Sequence, residues 1–136
     1  STQGVSSAAS DVYKRQILYN PIERKWPMKI DNIPFDTTDW SGVPQTEHSA
    51  EAGQAFWRTK NFGSIRARMV EYTPGYVSDH WCTKGHVLLC LEGEMETELE
   101  DGRKFILKPG MSYQVADNAE PHRSRSPLGA KLFIVD

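Results

Sequence analysis

From Gln54 onward the sequence runs as short strand-like segments punctuated by turn residues, with no apolar period of helical type long enough to sustain a helix. Ala55 to Lys60 and Ser64 to Thr73 come first, the second closed by Pro74-Gly75. Tyr76 to Cys82 stops at Lys84-Gly85, and His86 to Leu91 stops at Gly93. Glu94 to Leu99 leads into Asp101-Gly102, a strong hairpin signal. Arg103 to Lys108, Met111 to Ala116, His122 to Ser126 and Ala130 to Val135 complete the series. Roughly eight or nine strands at this spacing must close into a barrel or pack as a sandwich, because only closure or facing sheets hide their edges. Ile30 to Trp40 is less regular and is expected to cover a barrel end or add an edge strand.

The chain of 136 residues is 38% hydrophobic, with 5 Phe, 5 Tyr and 4 Trp, which suffices for one packed core and excludes global disorder. The longest strongly apolar run, Val87 to Leu91, falls far short of the roughly 20 residues a membrane-spanning helix needs. A net charge of −2 without a basic cluster speaks against nucleic acid and anionic membranes as partners. Two cysteines cannot build a disulfide framework and suit a reducing compartment, so a cytoplasmic protein is expected.

Residues 1–27 stand apart. Residues 1–16 show neither helical nor strand period and no apolar run of the secretory kind. Asp11-Val12-Tyr13-Lys14-Arg15-Gln16 matches the translation of a sequencing-library adapter. Residues 1–27 are therefore expected to be an artefactual or disordered extension, with one domain over 28–136 beginning at Met28. The acidic stretch Glu92 to Asp101 needs no special role. Its alternation sets Glu94, Glu96, Glu98 and Glu100 on a solvated face and Met95, Thr97 and Leu99 on the other.

Chemistry concentrates around three of the four histidines. Asp79-His80-Trp81-Cys82-Thr83-Lys84-Gly85-His86 holds two imidazoles and a thiol. His80 and Cys82, two apart, would share a strand face. A turn at Lys84-Gly85 would bring His86 back on an adjacent strand to the same point. Imidazole plus thiolate suits zinc or iron(II). The competing reading buries Cys82 as a hydrophobe and the histidines as hydrogen-bonded core residues.

Gly75 to Gly93 resembles the first signature of the cupins, small double-stranded β-barrels, and Pro109-Gly110 through Pro121-His122 resembles the second. Asp79-His80-Trp81-Cys82 with Lys84-Gly85-His86, Gly110 to Asp117 and Gly129 to Asp136 look like a subgroup named for an Asp-His-Cys-Trp motif. The resemblance implies an all-β, jelly-roll-like double-stranded β-helix. It implies one divalent metal ion held by His80, Cys82, His86 and His122, and a homodimer. Cys82 and His86 fall where the family has a second His and a Glu. That substitution softens the site toward iron or zinc, with nickel, copper and manganese open.

Other residues carry weaker signals. Arg66 and Arg68 would share a face, either as a guanidinium pair for a substrate carboxylate or, the favoured reading, toward solvent with Ile65, Ala67 and Met69 packed inward. Tyr113 and Gln114 face opposite ways, so only one can line a cavity with Arg66 and Arg68 as a substrate-binding residue. Cys90 and Leu88 share the parity of His86 and are placed in the interior, and a Cys82–Cys90 disulfide is the minor alternative. Asp79 and Trp81 point away from the ligand face, and His48 is read as a surface loop residue. Glu71 and Glu92 have the chemistry for proton transfer but no partner in sequence. No catalytic residue is assigned. The leading expectation is a metal-dependent enzyme, dioxygenase- or isomerase-like, on a small polar molecule. The alternatives are a non-catalytic metal-binding or redox-sensing protein and a barrel with a structural metal. Four protein ligands would close a tetrahedral zinc and argue against catalysis.

Overall fold

Among the described residues, ten strands account for the alternating runs: β1 (Gln45–His48), β2 (Ala55–Phe62), β3 (Ile65–Tyr72), β4 (Tyr76–Val77), β5 (His86–Gly93), β6 (Met95–Leu99), β7 (Lys104–Leu107), β8 (Ser112–Val115), β9 (His122–Ser126) and β10 (Ala130–Val135). The computed structural model describes residues 29–136, so the expectation for residues 1–27 lies outside the described residues. Ile33–Asp136 forms one compact unit. Its strands make two antiparallel sheets, one ordered β1-β2-β3-β10-β5-β8 and the other β4-β9-β6-β7. Among the described residues no helix is long and apolar enough to cross a membrane.

Each run folds as its alternation requires. β10 reads buried and accessible by turns, and its inward residues Ala130, Leu132 and Ile134 join Val70, Leu88, Cys90, Met95 and Leu107 in the core. Leu132, fully buried, lies between Val70 of β3 and Cys90 of β5. Burying one such side chain contributes roughly 1.5–3 kcal/mol. At Gly93 the backbone is left-handed (φ +74°), and a Cβ would stand 2.0 Å from the Gly129 carbonyl oxygen, so only glycine fits where β5 passes β10.

The acidic strand also behaves as its pattern implies. Met95 and Thr97 are buried, while Glu96 meets Lys104 at 3.9 Å and Glu98 meets Arg123 at 3.2 Å on the outer face. These partners leave Glu96 and Glu98 half-buried rather than freely solvated.

Four local expectations are corrected. The edge strand comes from Gln45–His48, whereas Trp40–Gly42 forms a 3-10 turn capped by Asp39. His48 therefore sits in a strand, stacked on Trp57 at 3.7 Å, because the Trp57 ring faces it across the β1–β2 pair. The run after Tyr76 forms only the two residues of β4 before the chain leaves the sheet. Finally, Lys84-Gly85 is no hairpin turn. It carries the chain from the four-stranded sheet, where Cys82 pairs with His122, to β5 in the six-stranded sheet.

Candidate metal centre

Cys82 and His122 are placed by the backbone. The Cys82 amide donates to the His122 carbonyl at 2.7 Å and the His122 amide to the Cys82 carbonyl at 3.0 Å. Such a bridge puts both side chains on one face, here the inner one. His86 approaches across the barrel as the first residue of β5. The outcome is a group of three donors, Cys82, His86 and His122, whose ligating atoms lie within 4.8 Å of one another. His86 Nε2 and His122 Nε2 are 3.2 Å apart, and Tyr113 Oη lies 2.9 Å from His86 Nε2.

The electrostatics are unequal across the three. Hydrogen bonding to His122 lowers the Cys82 thiol, against a burial effect that raises it. The same contact raises His122. The two shifts agree on one proton held between sulfur and imidazole. Burial, reinforced by His122 and Arg68, lowers His86 to about 4, so its ring is neutral. His122 Nδ1 lies 2.9 Å from the Glu120 carbonyl oxygen, which makes it the donor nitrogen and leaves Nε2 to face the cluster.

These residues fit a metal ion. One thiolate and two imidazoles are donors that zinc and iron(II) accept, and the Nε2 atoms already converge. Nδ1 of His86 is buried without a hydrogen-bond partner, while its Nε2 faces His122 Nε2 inside the cluster.

His80 stands apart from this cluster. Its side chain is 69% exposed and its Nδ1 lies 2.6 Å from Asp79 Oδ1. It lines the same cavity of about 80 Å³ as the three donors, together with Arg68, Tyr72 and Tyr113. The structure thus brings together three of the four expected donors and leaves the fourth at the mouth. Trp81 lies against the Arg123 guanidinium at 4.6 Å. Cys90 is fully buried in the core, and both thiols are free.

Arg66 and Arg68 do share a face, but only Arg66 is partly open to solvent, at 37% exposed, which corrects the favoured reading for Arg68 while Ala67 is buried as expected. The Arg68 side chain is 6% exposed and Met69 instead lines a groove beside Trp40 on the opposite face. A buried carboxylate makes this tolerable: Asp136 accepts from Arg66 Nε at 2.7 Å, from Arg66 Nη2 at 2.8 Å and from Arg68 Nη2 at 2.8 Å. Tyr113 lines the metal cavity, and burial pushes its phenol well above its ordinary value. Gln114 is exposed and lines a neighbouring cavity of about 220 Å³, which shares Tyr113 and His122 with the first. Glu71 and Glu92 are exposed, and neither lines the cavity holding the donors. Asp136 was missed by sequence reasoning, since its partners lie 68 and 70 residues away and no local pattern links them.

No protein-family model matches the sequence, and no curated protein does either. Solved structures do resemble it. An RmlC-like cupin from Shewanella frigidimarina shares 19% identity at a TM-score of 0.59, over 76% of this chain and 90% of that one. Ectoine synthase from P. lautus shares 19% identity at a TM-score of 0.60, over 74% of this chain and 76% of that one. Fe(II)-HppE shares 17% identity at a TM-score of 0.63, over 75% of this chain and 60% of that one. At these identities the likeness is one of fold. The fold is the cupin double-stranded β-barrel.

Proposed function

We propose that this chain is a mononuclear metal enzyme of cupin fold acting on a small polar molecule, with Cys82, His86 and His122 as the protein ligands. The observation that carries the reading is the count of converging donors. Three protein ligands leave a tetrahedral ion one position for water or substrate, where four would close it. A divalent ion there supplies Lewis acidity and, if iron, redox chemistry. The surrounding residues do the rest. Tyr113 Oη offers a hydroxyl at 2.9 Å from His86, and burial keeps that hydroxyl protonated and able to donate. His80, steered by Asp79, presents its Nε2 edge at the cavity mouth. The cavity has room for a few waters or one small ligand, and the adjoining space past Tyr113 and His122 extends it.

Similarity in fold to ectoine synthase and Fe(II)-HppE supports an enzymatic reading without naming a substrate. The Asp79-His80-Trp81-Cys82 run supports membership of the Asp-His-Cys-Trp subgroup. Both thiols being free supports a reducing, cytoplasmic setting. Half-exposed Phe105 and Ile106 on β7, an edge strand, support pairing of two copies there.

Elemental analysis of the purified full chain tests the centre, with about one iron or zinc per chain expected. Azide added to the cobalt-loaded protein tests the open position. A shifted visible spectrum supports the enzyme. An unchanged spectrum with one tightly held ion favours the alternative, a structural or redox-sensing metal on Cys82.

A further inference from the structure

The imidazole of His86 has one nitrogen accounted for and one not. Nε2 faces Tyr113 Oη and His122 Nε2, whereas Nδ1 is buried with no hydrogen-bond partner. The group facing Nδ1 is Asp136, whose Oδ2 stands 4.0 Å away and whose side chain is 1% exposed. A carboxylate has about four lone-pair positions. Oδ1 accepts from Arg66 Nε, and Oδ2 accepts from Arg66 Nη2 and Arg68 Nη2. One position is left, on Oδ1, and His86 Nδ1 and Arg68 Nε are the buried nitrogens at this carboxylate without a hydrogen-bond partner.

The carboxylate is also held firmly. Arg66 grips it through two nitrogens, and the backbone amides and carbonyls of Arg66 and Asp136 bond to each other at 2.6 and 2.9 Å. The Arg68 guanidinium packs over the Trp57 ring at 4.4 Å, which fixes the second clamp.

We propose that Asp136 is the positioning residue of the metal centre, accepting the Nδ1–H hydrogen bond of His86 so that Nε2 is the ring's ligating nitrogen. This inference rests on the metal-centre reading above. A ligating histidine whose far nitrogen is bound to a carboxylate is locked in tautomer and orientation and is a stronger donor. Nδ1 stands 4.0 Å from Oδ2 and the free position is on Oδ1, so the bond asks the ring to move by at least about 1 Å. Arg66 and Arg68 then serve to hold Asp136.

The test uses the full chain loaded with zinc. Nitrogen-15 NMR of wild type should show the His86 proton on Nδ1 and the metal on Nε2. Metal bound through Nδ1 would overturn the proposal, with no variant needed. Competition titration of Asp136→Asn should show zinc binding about 10- to 100-fold weaker than wild type. The Nδ1 proton signal should also shift, a change that loss of stability alone does not produce. Unchanged affinity together with an unchanged signal in Asp136→Asn would refute Asp136 while leaving the metal centre standing. A wild-type chain that binds no zinc would instead overturn the metal-centre reading, and this inference with it.

Discussion

Replacing Gly85 with alanine drives a methyl group into backbone and reports on fold and site together. A Cβ at this position lies 2.5 Å from the Asp117 nitrogen, 2.8 Å from the Ala116 carbonyl carbon and 2.9 Å from the Val115 carbonyl oxygen. Ordinary contacts of this kind sit at about 3.5–4.0 Å, so one chain must yield by about 1 Å. Neither side can swing away, because all three atoms are main chain. The Gly85 amide also donates to Asp117 Oδ1 at 2.7 Å, tying the two segments together. Overpacking of this sort costs about 1–3 kcal/mol, which in a domain of this size lowers Tm by about 5–15 °C. The site feels the same displacement. Gly85 precedes His86, and the crowded segment continues from β8, which carries Tyr113 2.9 Å from His86 Nε2. A shift near 1 Å exceeds the roughly 0.5 Å tolerance of a working constellation, so zinc affinity should fall on the order of tenfold. Circular dichroism melts of the metal-free protein and zinc competition titrations read the two effects. Gly102→Ala is the control: its φ is +95° with nothing within 4 Å, so it should cost about 1 kcal/mol and leave zinc binding alone. A Gly85→Ala protein melting within a degree or two of wild type would refute the steric argument.

Leu132→Ala empties the centre of the core, where the side chain is fully buried between Val70 and Cys90, and should cost about 2–5 kcal/mol in a denaturant titration. Cys82→Ser should reduce bound metal from about one ion per chain to near zero by elemental analysis, with the β-sheet circular dichroism spectrum retained. Zinc affinity should fall as the pH drops from 7 to 5. Binding must displace protons from Cys82, and from His122, whose value is raised, while His86, lowered to about 4, is already neutral and has none to give. The slope of log Kd against pH should therefore lie between about −1 and −2, and a slope near −3 would contradict the neutrality of His86.

Much of the barrel was legible because its signals are local. Alternation placed Ala130, Leu132 and Ile134 inside and Glu96 and Glu98 outside, and Asp101-Gly102 does turn β6 into β7. At the site, the identity of the donors was legible from residue type, while their assembly was not. Parity predicts that His80 and Cys82 share a face only if both sit in one strand. The chain is extended at Cys82 through a single bridge, and β4 ends at Val77, so the rule had no strand to act on.

The sequence alone therefore determined the strand series, the core-facing residues and the supply of imidazole and thiol in one short segment, because period, turn chemistry and donor type are properties of neighbouring residues. The tertiary structure decided which donors meet. The Lys84-Gly85 segment changes sheets, so His86 reaches Cys82 and His122 from across the barrel while His80 remains at the mouth. It also decided that Arg68 is buried and Arg66 half-buried beside it, since a charge survives burial only where a partner is delivered. Their partner Asp136 lies 68 to 70 residues along the chain and is brought in by the pairing of β10 with β3.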